Sequence, residues 1–589
     1  MNFENIFVNE RPNPKQKNCD MKKILLTLSV FALAISFSSA QTTTAASIDI
    51  NGVKAMMNSN GDLFWDHTTA KFEVPKGSVN QSNTIFAGAT WIGGLDSGGS
   101  LHLAAQTYRQ SGDDFFPGPV MNAANYSAAN DALWNKVWKI NKTTIDSFVM
   151  WTVNPSLYPN YVIPQIILNW PGNGDVSQGQ AAQLAPYVDR DGDGNYNASA
   201  GDYPCIKGDQ ALFAIFNDDR NVHTETGGTK MKIEVHAMLY AYKAPGSYLD
   251  TVVFLNYQLF NRSANNYHSV VFGSWIDFDI GAYNDDYIGC DVSKNIFYGY
   301  NGDSCDGSSC LPVFATYGAN PPAEGAVFLH GPLATPGDGI DNNRDGLTDE
   351  PGEDCRMNKF IYYNNDFSII GNPDSAADYY RYMTGFWKDG TPITYGGNGY
   401  GGSTVCDFMF PEASDPSGWG TNFQPQPLWS EASVGNTPGD RRGMAAAGPF
   451  DLNAGQQMCM DFAFVFARGN NGPASSVVAM QNAADSTKLF YATTFPCTCV
   501  PNPLGIENIQ QNLSLQFYPN PTSGNITVLW EPKTANAKLE IYDINGKIIS
   551  SEIISKTSTV INMEKFTSGI YFMRMIDGKY TASAKVVKE

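Results

Sequence analysis

Hydrophobic and polar positions alternate along the last stretch of the chain. The segments LSLQFYP, NITVLW, KLEIYDI, KIISSEII, STVINM, GIYFMRMI and YTASAKVVK follow one another across residues 513–589. A period of two turns one side of each segment to a core and the other to water, as in half-buried strands. Asn545-Gly546 and Asp577-Gly578 stand between strands, where a tight hairpin requires positive φ. So many short strands in so short a span predict a small Ig-like β-sandwich. Upstream the apolar runs are longer. DTVVFLNYQLFNRS and YHSVVFGSWIDFDIG read as an antiparallel pair joined by NRSANN, and GPFDLNAGQQMCMDFAFVFARG as a second pair turning at Asn453-Ala454-Gly455. One segment, SSVVAMQNAADSTKLFYATTF (residues 475–495), predicts a helix. Val478, Met480, Ala484, Leu489 and Tyr491 form its rough apolar face and Ser475 its cap.

The expected fold is therefore mainly β. One or two large β-sandwich-like units with long loops occupy residues 41–495, with a possible subdivision near 188–202. PCTCVPNPLGIENIQQN carries no period and reads as a linker over 496–512, ahead of the tail domain at 513–589. Before the body, Met21-Lys22-Lys23, the apolar ILLTLSVFALAISF and SSA ending at Ala40 form a signal peptide within residues 1–40, with Met21 the plausible true start. That apolar run is short for a membrane span, so none is expected in the mature chain.

Composition sharpens the picture. Charged residues make up 16% of the chain, against about 25% usually, with Gly 55 and Pro 33, which suits a loop-rich β-protein. A net charge of -20 argues against nucleic acid and anionic membrane as partners and favours cations. Of the 10 cysteines only Cys19 precedes the body, and in an exported chain disulfides are expected. Cys305 and Cys310 bracket the turn-like DGSS and suit a short bridge; the odd number remaining leaves at least one thiol free or intermolecular.

YPNPTSG, LEIYDINGKII, FTSGIYFMRM and the closing KVVKE, in that order, closely resemble the type A C-terminal sorting domain of type IX secretion. The resemblance implies passage through the type IX translocon by way of residues 513–589. It also implies removal of the tail, with the body released or tethered to surface lipopolysaccharide. IFAGATWIGGLDSGGSLHLAAQTYRQSGDDFFPGP, GDYPCIKGDQALFAIFND, HTETGG and YNDDYIGCD resemble a group of uncharacterised large secreted proteins with the same tail. That second resemblance brings no activity.

Two stretches carry chemistry. VDRDGDGNYNASAGD sets Asp189, Asp191 and Asp193 at alternate positions before Gly194, the first half of a calcium loop. Asn195 offers a backbone carbonyl at position 7 and Asn197 stands at position 9. Ala200 holds position 12, where a glutamate is usual, and Asp202 is the candidate substitute. DGIDNNRDGLTDEPGED repeats the frame with Asp341, Asn343, Asp345 and Gly346, then the Leu347 carbonyl, Asp349 and Glu350. Calcium is the expected cation for both. A third acidic group, Asp277, Asp279, Asp285, Asp286 and Asp291, lacks regular spacing and reads as a solvated loop. His223, Glu225, Glu234 and His236 match no standard zinc spacing and read as scattered strand residues. HExxH, G-x-S-x-G and phosphate-binding glycine loops are absent. The leading functional expectation is a secreted or cell-surface, calcium-stabilised protein with a binding, adhesive or structural role toward a glycan or protein ligand. The alternative is a secreted hydrolase acting on polysaccharide.

Overall fold

A computed structural model of the chain describes residues 43–107, 112–493, 515–530, 537–543, 547–577 and 580–589. The expected signal peptide and linker lie outside the described residues.

The body is built on two large antiparallel sheets. Sheet I has eight strands. Its main path runs Ala45–Ile48, Lys54–Asn58, Phe72–Glu73, Asn83–Leu95, Tyr267–Phe278, Arg441–Leu452 and Met357–Tyr363, with Leu101–Ala105 paired to Asn83–Leu95. Sheet II has nine. Its path runs Asp286–Asp291, Ile296–Asn301, Ala323–His330, Gln457–Ala467, Val252–Asn261, Ile233–Ala241, Gln210–Asn217 and Phe116–Pro117, with Trp138–Asn141 also on Gln210–Asn217. Sheet I joins strands from both sides of residues 188–202. The inner faces share one core, where Phe462 of sheet II meets Phe272 of sheet I at 6.0 Å and its neighbour Phe328 at 4.7 Å. Residues that alternate with these, among them Ala463, Val465, Phe213 and Tyr240, enter a second cluster on the outer face of sheet II. The strands of sheet II are thus buried on both faces, which is why they read as nearly continuous apolar runs.

Both expected hairpins are corrected by the structure. Val252–Asn261 pairs with Gln457–Ala467 in sheet II, whereas Tyr267–Phe278 pairs with Arg441–Leu452 in sheet I. NRSANN and the turn at Asn453-Ala454-Gly455 are therefore crossovers between sheets. They lie side by side: the Asn261 side chain donates to Leu452 O at 3.0 Å, and Gly455 N donates to Asn261 O at 2.9 Å. With both faces of each strand buried, alternation carries no information about which sheet a strand joins.

The helix spans Gly472–Thr493 and packs against the outer face of sheet II. It starts three residues before the expected cap, and Ser475 accepts from Asn471 N from inside the first turn. Its buried stripe is Ser476, Val477, Met480, Ala484 and Thr487: Met480 and Ala484 lie on the expected face, whereas Val478 is exposed and Val477 is buried in its place. Gly325 admits Met480 beneath the helix, since a Cβ there would meet the Met480 sulfur at 2.5 Å. On the outer face of sheet I, the helix Ala376–Met383 lays Tyr379 edge-on against Trp91 at 4.6 Å.

The tail forms every expected strand. Leu515–Tyr518, Asn525–Trp530 and Ser558–Asn562 make one sheet, and Ile548–Ile554, Ala537–Tyr542, Gly569–Asp577 and Tyr580–Lys588 the other. Ile526, Val528, Trp530, Leu539, Ile541, Met573 and Val586 fill the core between them. Asp577 pairs with Tyr580, while the Asn545-Gly546 turn lies outside the described residues.

Cys305 and Cys310 are joined in the short bridge their spacing suggested, and Cys205 and Cys459 each take part in a separate disulfide. Cys290, Cys355 and Cys406 are free and buried.

Candidate metal-binding loops

The first acidic loop is clipped between the short strands Tyr187–Val188 and Tyr203–Pro204, which pair with each other. Inside it the carboxylates organise the backbone. Asp189 accepts from Gly192 N at 2.7 Å and Gly194 N at 2.8 Å, Asp191 from Asp193 N at 3.3 Å, and Asp193 from Asn195 N at 2.7 Å. Gly192 and Gly194 hold φ of 76° and 78°, a left-handed conformation that glycine adopts without a Cβ penalty. Asp202 is fully buried and accepts from Arg190 N and Asn197 N, each at 2.8 Å. Oxygens of Asp189, Asp191 and Asp202 lie within 4.8 Å of one another. The Gly194 N–H, reinforced by Gly192, holds the Asp189 carboxyl below its ordinary range. Asp191 is held above it: the Asp193 N–H pulls it down, but desolvation and the charges of Asp193 and Asp202 outweigh that. Asn197 caps the following turn by accepting from Ser199 N.

The second loop repeats this frame, except that position 1 accepts from position 5 where the first loop uses position 4. Asp341 accepts from Asp345 N at 3.1 Å and Gly346 N at 2.9 Å, Asn343 from Asp345 N at 2.9 Å, and Asp345 from Leu347 N at 2.9 Å. Arg344 and Gly346 take the left-handed positions, with φ of 61° and 96°. Arg344 occupies that conformation with its guanidinium tied to Met357 O and the Asn295 side chain, which anchors the loop to the sandwich. Asn343 donates to Glu350 at 2.6 Å, so Glu350 reaches into the loop, whereas the Asp349 carboxylate is engaged by Gly339 N at 3.2 Å.

The closing group of the second loop is a residue the sequence reading missed. Glu353 is buried and accepts from Asn342 N and Asp349 N, the N–H groups of loop positions 2 and 9. Asp202 accepts from the same two positions of the first loop. Aspartate at position 14 and glutamate at position 13 thus do one job, the longer side chain offsetting the shorter reach of chain. A shared carboxylate just beyond position 12 was the available signal.

The third acidic group is corrected: it is not solvated. Asp277, Asp286 and Asp291 are 2%, 0% and 3% exposed. His223 and His236 point to different partners. His223 Nδ1 lies 2.8 Å from Leu103 O and its Nε2 2.8 Å from Asp218 O, while His236 Nε2 lies 3.0 Å from Glu234. Glu234 also receives Arg262 at 2.7 Å and Val120 N at 2.8 Å. Burial pushes Glu234 up, but the His236 hydrogen bond and the Arg262 charge win and draw its carboxyl down to about 2.

The small two-sheet domain closing the chain has the build of an appended module. Residues 516–589 match the family described as secretion system C-terminal sorting domain. The tail is a type IX sorting domain, it engages the secretion machinery, and the protein is exported to the cell surface or beyond it. No curated protein matches the chain. Among solved structures, a polysaccharide lyase is similar over 60% of this chain and 34% of its own, at 9% identity and a TM-score of 0.17, too slight a likeness to carry an argument. This chain thus spans about a third of that protein's length. No helix among the described residues is long and apolar enough to cross a membrane.

Proposed function

We propose that the body is a calcium-braced β-sandwich with a binding, adhesive or structural role at the cell surface. The observation that carries the reading is the common frame of the two acidic loops, each closed by a buried carboxylate from beyond its end. Loops of this composition concentrate negative oxygen in a small volume, and calcium accepts six to eight such ligands in flexible geometry. The first site would draw on Asp189, Asp191, Asp193, Asn195, Asn197 and Asp202. The second would draw on Asp341, Asn343, Asp345, Leu347 and Glu350, with Asp349 and Glu353 holding its shape. After tail removal the body would be released or tethered to lipopolysaccharide.

A second reading, a hydrolase on polysaccharide, is favoured by one feature. A cavity of about 210 Å³ is lined by Trp275, Tyr363, Phe367, Tyr379 and Arg442, and aromatic faces suit sugar rings. Incubating the purified body with a glycan panel separates the two readings. Retention of a glycan without new reducing ends supports binding. Turnover that purifies with the body and is lost on substitution of Arg442 sustains the enzyme.

A further inference from the structure

Asp277 stands near the end of the strand Tyr267–Phe278, Asp279 just past it, and Asp440 just before the neighbouring strand Arg441–Leu452. Carboxylate oxygens of the three lie within 4.8 Å of one another. The cation set against them is Arg442, directly opposite Asp277 in the ladder. Its Nη2 lies 3.3 Å from Asp277 Oδ2, and it grips Asp440 through Nη1 at 2.9 Å and Nη2 at 3.2 Å. Asp277 is 2% exposed, and its Oδ1 is buried without a hydrogen-bond partner. A buried carboxylate oxygen left in that condition is strongly disfavoured unless something compensates it.

The charges do not balance. Among the described residues, three carboxylates face one guanidinium, an excess of two negative charges when all are ionised. A divalent ion would cancel the excess and occupy the idle oxygen of Asp277. The donors are all oxygen, which selects a hard cation, and oxygens up to 4.8 Å apart fit across a shell of bonds about 2.3–2.6 Å long. We infer that Asp277, Asp279 and Asp440 form a third divalent-cation site, of the calcium class, wedged between two central strands of sheet I. The inference rests on neither acidic loop.

Terbium(III) is the probe, because it replaces calcium and emits when a nearby indole is excited. Trp275 lies two residues from Asp277, on the same side of the strand. The full mature protein should give terbium emission on tryptophan excitation, displaced by calcium. Emission should persist in the Asp191→Ala/Asp345→Ala double variant and fall at least tenfold when Asp440→Asn is added to it. Absence of emission in the wild type, its loss in the loop double variant, or its survival once Asp440→Asn is added overturns the site. Should that variant not fold, Trp275→Phe in the loop double variant reads the same geometry: emission should vanish, and unchanged emission overturns the inference.

Discussion

Substituting Glu353 with glutamine should open the second acidic loop, and substituting Glu350 should not. Glu353 is 6% exposed and takes two backbone N–H groups on its carboxylate, from Asn342 and from Asp349 at 3.1 Å. Hydrogen bonds to a charged group contribute about 1.5–3 kcal/mol each. Glutamine keeps one acceptor and sets an NH₂ against the second donor, so one such bond is lost and the other weakened, about 2–3 kcal/mol of local stability. Glu350 receives only the Asn343 amide, and a glutamine there retains an acceptor, so the cost should stay below about 1 kcal/mol. Because the loop opens locally rather than with the whole sandwich, hydrogen exchange is the fitting assay. At 1.4 kcal/mol per tenfold, amides of residues 342–349 should exchange roughly 30-fold faster or more in Glu353→Gln and less than about fivefold faster in Glu350→Gln. Equal acceleration in the two variants, or a larger one in Glu350→Gln, refutes the assignment of Glu353 as the closing group.

Three other outcomes are expected. Glu234 has a folded pKa depressed to about 2, so its contribution is present above about pH 4.5 and disappears as pH falls through 2. Melting curves of wild type and Glu234→Gln should differ by an amount worth about 3 kcal/mol at neutral pH and converge near pH 2; a constant gap across that range contradicts the ion-pair account. Phe462→Ala removes the ring that joins Phe272 to Phe328 in the core, which should cost about 3–5 kcal/mol in denaturant unfolding, and a loss under 1 kcal/mol speaks against one shared core. Deleting residues 513–589 should hold the body in the periplasm, and undiminished surface display of the truncated chain rules out the sorting role.

What the sequence makes legible follows from burial. In the tail each strand has one wet face, so Ile526-Val528-Trp530 and Leu539-Ile541 announce both strand and orientation. In the body, Phe462 and Ala463 are buried on opposite sides of one strand, and the same apolar run fits either sheet. The pairing of Val252–Asn261 with Gln457–Ala467, far away in sequence, is set by packing that no local pattern records. The acidic loops were readable because Asp-x-Asp-x-Asp-Gly spacing acts locally, down to Asp202. Glu353 was missed because Asp349 and Glu350 stand nearer position 12, although it takes the same two backbone N–H groups as Asp202. Asp277 was read as solvated because its acidic group lacks regular spacing, whereas Arg442, distant in sequence, takes it into the sheet.

The central claim, that calcium braces the two acidic loops, is tested most directly by thermal melting of the mature body with calcium and with chelator. A site that binds only the folded chain adds about 2.7 kcal/mol when calcium is 100 times its dissociation constant. The wild type should melt higher by several degrees with calcium. Asp191→Ala and Asp345→Ala should each lose part of that rise, and the double variant most of it. Superimposable wild-type curves with and without calcium, or a double variant that keeps the whole rise, would contradict the claim.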